Sequence, residues 1–195
     1  MKRIHLKYEH DFVAINGSFG VSQHWLQGKV PKFFEYRSCA LAALANILYY
    51  EHGDFRRNYL SKDNAIKILL ELYQKIPPMP WGIPSIYFLK KPFIRYAASK
   101  GIHFRYHSFS GPFREKEVGE FIIKGLSKDH PMLLLTWNHP NKDFHNHWVT
   151  ITGIEWDTSY RITVSNWGKR KKYSLKEYLK GKTLYRELGF FDVLE

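Results

Sequence analysis

The sequence predicts an α+β fold in which an N-terminal helical half packs on a C-terminal antiparallel sheet. The segment CALAALANILYY (39–50) is apolar around its whole circumference apart from Asn46, the mark of a central buried helix. Two alternating segments, HWVTITGIEW (147–156) and YRITVSNWG (160–168), are separated by the turn formers Asp157, Thr158 and Ser159, which predicts a hairpin. Helical patterns gather before residue 101 and strand patterns mostly after it, so the two layers come from different halves of the chain.

The elements follow in order. After the central helix, SKDNAIKILLELYQKI (61–76) predicts a second helix, with Ser61 as N-cap and Asp63 in its first turn. The Pro-rich stretch IPPMPWGIP (76–84) predicts a rigid loop within the domain. A third helix is expected in PSIYFLKKPFIRYAASKG (84–101), opening near Pro84, ending at Gly101, and kinked or divided at Pro92. IHFRYHSF (102–109) predicts a short strand, REKEVGEFIIKGLSK (114–128) an amphipathic helix, and PMLLLTW (131–137) a buried strand. The hairpin comes next, and GFFDVLE (189–195) predicts a closing strand.

A chain of 195 residues with 44% hydrophobic content suits a single domain, 1–195, with a sizeable core. One cysteine, no signal-peptide pattern and no stretch long enough to span a bilayer predict a cytoplasmic protein without a membrane span. The formal charge of +12 favours an anionic or acidic partner. The densest basic run, GKRKKYSLKEYLK (168–180), is unaccompanied by any nucleic-acid-binding signature, so it predicts a solvated charged face and no nucleic-acid partner.

The chemistry centres on Cys39, which opens the apolar helix. Period-two counting puts His147 on the row of Val149 and Ile151, and Asn166 on the row of Ile162 and Val164. With the turn centred on Asp157 and Thr158, Asn166 falls opposite Val149 and diagonal to His147, within side-chain reach. A helix N-terminus and an imidazolium lower a thiol pKa, so Cys39 is the candidate nucleophile, His147 the base and Asn166 the residue that orients the ring. A carboxylate at position 166 would accept the same ring N–H bond. Trp167 shields the His147–Asn166 bond from water, and His145, Trp148, Trp25 and Trp81 are candidates for the cleft and its rim. A metal site built from His139, His145, His147 and Cys39 lacks a second thiol and a helical H-x-x-x-H pair, so no metal and no cofactor is expected.

This order of Cys39, then His147 followed by WVTITGIEW, then Asn166 followed by Trp167 and Gly168, resembles the papain-like cysteine peptidase superfamily. Within it, the sequence is similar to bacterial peptidases that process double-glycine leader peptides. The resemblance runs roughly from Gly20 to Leu179 and is specific around Cys39, His147 and Asn166. It implies a papain-like fold and a Cys–His–Asn triad. It also implies an oxyanion-binding Gln six residues before the nucleophile, where this chain has Phe33. Gln27 is therefore the first oxyanion candidate, with Gln23 farther upstream, and Ser38 or Arg37 beside the Cys39 backbone N–H as alternatives. The expected function is a cysteine-dependent hydrolase acting on a peptide or protein through a Cys39 thioester. Acyl transfer from an acidic carrier protein and a non-catalytic peptide-binding or anion-binding module are the alternatives.

Overall fold

The computed structural model describes residues 1–10, 12–52 and 60–194. Strand β1 (Lys2–His5), a short hairpin of β2 (Ala14–Ile15) and β3 (Ser18–Phe19), a 3₁₀ turn (Gln23–Leu26) and the single turn α1 (Lys32–Glu35) lead into α2 (Cys39–Glu51). Every residue of α2 from Cys39 to Tyr50 is buried, as its all-round apolar sequence requires. Asn46, its one polar interruption, is satisfied on both sides: Oδ1 accepts from the Val21 N–H at 2.7 Å and Nδ2 donates to Thr150 Oγ1 at 3.3 Å.

Helix α3 (Lys62–Lys75) starts where Ser61 accepts from the Asn64 N–H. Helix α4 (Ile86–Ala98) contradicts the expected division, because Pro92 lies inside an unbroken helix. The carbonyl that loses its donor to the proline ring belongs to Phe88, whose exposed position leaves water to replace the bond. Burial of Phe93 between Phe104 and Phe191 holds the helix in place past the proline. Its first turn is capped from afar, by Glu187 Oε2 accepting from the Ile86 N–H at 2.7 Å. It ends at Gly101, whose φ of 83° lets the Ile102 N–H reach the Ala97 carbonyl.

Strand β4 (Phe104–Ser108), helix α5 (Glu115–Ser127), β5 (Met132–Trp137), β6 (His147–Trp156), β7 (Tyr160–Asn166), β8 (Lys169–Ser174), helix α6 (Leu175–Lys180) and β9 (Tyr185–Val193) complete the chain. The strands order as β4-β9-β5-β6-β7-β8, with β1 on the far half of β6, and every described pairing is antiparallel. The architecture is α+β. β8 and α6 occupy the basic run, which is an edge strand and a helix whose bases are largely paired. Arg170 meets Glu9, Lys171 meets Asp143 and Lys172 meets Glu155. The closing strand begins at Tyr185, four residues before the expected start.

The hairpin reaches its register by an unexpected route. Trp156 pairs with Tyr160 across three turn residues, and that register runs to Gly153↔Thr163. Thr152 is then an extra residue, after which Ile151 pairs with Val164 and Thr150 with Ser165. Without this bulge Asn166 would continue opposite Thr150 and face away from His147. The bulge offsets the odd-numbered turn, so the ladder continues toward Val149 opposite Asn166, as a two-residue turn without a bulge would also give.

Candidate active site

Cys39 is the first residue of α2, and the segment before it is folded back by its own hydrogen bonds. The Arg37 N–H reaches Phe34 O and the Ser38 N–H reaches Glu35 O. Ser38 Oγ donates to Phe34 O at 2.7 Å, and the Arg37 guanidinium bonds the carbonyls of Pro80 and Phe33. Ser38 and Arg37 thus use these groups to hold the helix start in place. Backbone N–H groups of Trp148, Ala40 and Cys39 favour the thiolate, yet burial outweighs them and pushes the thiol up to about 11.

His147 opens β6 and is 6% exposed. Its Nε2 lies 2.7 Å from Asn166 Oδ1, while Asn166 Nδ2 donates to the Asp143 carbonyl at 3.1 Å. Because that second bond turns the amide nitrogen toward the Asp143 carbonyl, the amide oxygen is what faces the ring, and Nε2 carries the proton. Nδ1 is left with its lone pair, the form a general base needs. Burial holds the imidazole down at about 4, against the opposing pull of the Asn166 hydrogen bond and the Asp143 charge. At neutral pH the resting pair is therefore a thiol and a neutral imidazole.

Trp167 and Gly168 form the two-residue turn between β7 and β8, with φ of 51° and 72°. This left-handed turn lays the indole over the imidazole, with ring centroids 4.8 Å apart. Cys39, His147, Trp148 and Trp167 line one cavity of about 10 Å³, room for a single water. Trp148 is anchored by its indole N–H to the Ile83 carbonyl, which fastens the Pro-rich loop beside the site.

Gln23 also lines this cavity, and Gln27 does not. Gln27 ends the 3₁₀ turn on the surface, with its backbone N–H on His24 O. Gln23 begins that turn, is 3% exposed, and has a buried Oε1 without a protein hydrogen-bond partner. The oxyanion candidate is accordingly Gln23, sixteen positions before the nucleophile in the numbering. Its delivery depends on tertiary bonds that sequence spacing does not reveal: Asn46 to Val21 N–H, and Ser165 Oγ to the Phe19 carbonyl at 2.6 Å.

The other cleft candidates stand apart. Trp81 is 59% exposed on the Pro-rich loop, Trp25 is half-buried in the 3₁₀ turn, and neither lines the cavity. His145 is exposed with its ring on the His139 carbonyl, and His139 is bound to Tyr178 O and the Asn141 N–H. Among the described residues no cluster of His, Cys, Asp and Glu is placed to hold a metal ion, and no helix is long and apolar enough to cross a membrane. No protein-family model matches the chain, and no curated protein matches it.

Proposed function

We propose that this protein is a papain-like, cysteine-dependent hydrolase that cleaves a peptide or amide bond through a thioester on Cys39. The observation that carries this reading is the His147 Nε2–Asn166 Oδ1 bond at 2.7 Å, which fixes the base tautomer of an imidazole sharing a cavity with a helix-opening cysteine. In the reaction the Cys39 proton passes to His147 Nδ1 and the sulfur attacks the substrate carbonyl carbon. The oxyanion is held by the Cys39 backbone N–H and the Gln23 carboxamide. Collapse of the tetrahedral adduct breaks the C–N bond as the imidazolium protonates the leaving amine. Water, deprotonated by the same nitrogen, then hydrolyses the thioester.

The test is intact mass after exposure to iodoacetamide, at several pH values, for the parent chain and His147→Ala. Adduct at Cys39 that forms faster in the parent supports activation by the imidazole. Equal rates would remove His147 from the chemistry. A second reading, a cleft that binds a peptide without reacting, draws on the burial that holds the thiol up at about 11. Offering peptides and acyl thioesters in turn separates hydrolase, acyltransferase and binding module by whether a covalent adduct forms and from which donor.

A further inference from the structure

We propose that Asp143 is a positioning residue for the His147–Asn166 pair, its carboxylate supplying the counter-charge that stabilises the imidazolium form of His147. The proposal rests on the hydrolase reading above. Asn166 orients the ring but is neutral, so it supplies no net charge when His147 takes a proton. The thiolate balances that proton only until the sulfur is acylated. From then on a buried imidazolium needs another anion nearby, or its formation is opposed by desolvation.

Asp143 is built to be that anion. It sits in the 138–146 connection between β5 and β6, where its N–H donates to Asn141 Oδ1 at 2.9 Å and its carbonyl accepts from Asn166. The connection is braced by the Asn138 N–H on Asn146 Oδ1 at 2.7 Å and by Phe144, buried against His139, Tyr173 and Tyr178. Lys171 Nζ donates to Asp143 Oδ1 at 2.7 Å and the Tyr173 hydroxyl donates to Oδ2. Burial alone would raise the carboxyl, but these two donors outweigh it and hold Asp143 below the usual carboxylate range, hence charged at neutral pH. The other titratable groups acting on His147 are His24 from the 3₁₀ turn, itself facing Glu35, and Lys171 from β8, both of which oppose its protonation. Cys39 faces it from α2 across the shared cavity. Asp143 is the acid among these groups that favours the imidazolium.

The decisive measurement is the His147 titration, followed by NMR of ¹⁵N-labelled imidazole in the full chain with Cys39 alkylated, so that no thiol titrates beside it. Asp143→Asn, which keeps the shape and retains one of the two oxygens that accept from Lys171 and Tyr173, is expected to lower the His147 pKa by about one unit. Asp143→Glu, which restores the charge, is expected to recover part of that shift. Asp143→Ser serves the same measurement if the Asn variant does not fold. A His147 titration that superimposes in the parent and a folded charge-removing variant overturns the proposal, since a purely structural role would leave the pKa in place. If the parent thiol is inert to iodoacetamide at every pH, the hydrolase reading falls separately. Protein unfolded in guanidinium can then be alkylated and refolded, and the titration still decides the role of Asp143.

Discussion

At the residue scale the site turns on which amides point where. Gln23 and Gln27 are chemically identical, and only the 3₁₀ turn decides that the first is buried in the cavity and the second is on the surface. Gln23→Ala should slow acylation by substrate about 10²-fold while leaving alkylation by iodoacetamide nearly unchanged, because alkylation develops no oxyanion. Gln27→Ala should change neither, and the two rates measured side by side check both expectations. Asn166→Ala should lower alkylation at least tenfold by freeing the imidazole to adopt other orientations and tautomers. The Asn166→Asp variant is less conservative than the sequence implies. One carboxylate oxygen still accepts from His147 Nε2–H, but the other replaces a donor 3.1 Å from the Asp143 carbonyl and meets it oxygen to oxygen. Its expected alkylation rate lies between those of the parent and the Ala variant, with the shortfall measuring that repulsion.

At the scale of elements, the segment Gly20–Gln23 is held to α2 and β7 by few bonds, and its position determines whether Gln23 reaches the sulfur. Asn46 holds the Val21 N–H from inside an otherwise apolar helix, and Gly20, at φ 93°, passes so close that an added Cβ would lie 2.2 Å from Ser165 Oγ. Asn46→Ala should destabilise the chain by about 1–3 kcal/mol by stranding the Val21 N–H and the Thr150 hydroxyl. It should also slow acylation more than alkylation, as loss of Gln23 would. Equal slowing in both reactions would mean that the helix start itself had moved. Gly20→Ala should repeat the pattern through strain and displacement rather than a lost bond. The hairpin makes a related point about what sequence patterns can reveal. Alternation in HWVTITGIEW and YRITVSNWG was enough to put His147 and Asn166 on the same face of the hairpin, although both rows of β6 are buried and Thr150 of the other row bonds Asn46 of α2. The turn length and the Thr152 bulge were not legible, since each shifts the register by one and the two shifts cancel at the site.

Across the whole molecule, what was legible in the sequence was whatever local periodicity encodes: the buried α2, the capped α3, the amphipathic α5 and the hairpin rows. What was hidden depends on charges meeting over long sequence distances. The basic run is the solvated face its composition predicts, but its ion-pair partners Glu9, Asp143 and Glu155 lie elsewhere in the chain and local pattern does not reveal them. The same holds for His130, just before β5, whose ring stacks on Phe190 and links Glu51 at the end of α2 (Nδ1 to Oε1, 3.0 Å) to Asp192 on β9 (Nε2 to Oδ1, 3.1 Å). This histidine fastens the end of the central helix to the sheet, so its protonation is coupled to folding as a whole. Burial works to lower its pKa, but the Glu51 hydrogen bond and the Glu51 and Asp192 charges outweigh burial and raise it above 6.5, while burial raises the Glu51 carboxyl as well. Both shifts have the folded chain hold more protons than the unfolded chain, so stability falls as pH rises through these windows. The His130 contribution is fully present below its unfolded value of 6.5 and is lost as pH passes the raised folded value. The melting temperature of the parent should therefore drop as pH rises from 6.5 through the raised folded value, and His130→Gln should be less stable at the acidic end with a flatter profile across that range. A parent profile that stays level or rises over the same interval would mean that His130 is neutral in the fold and that the helix–sheet junction is held by packing alone.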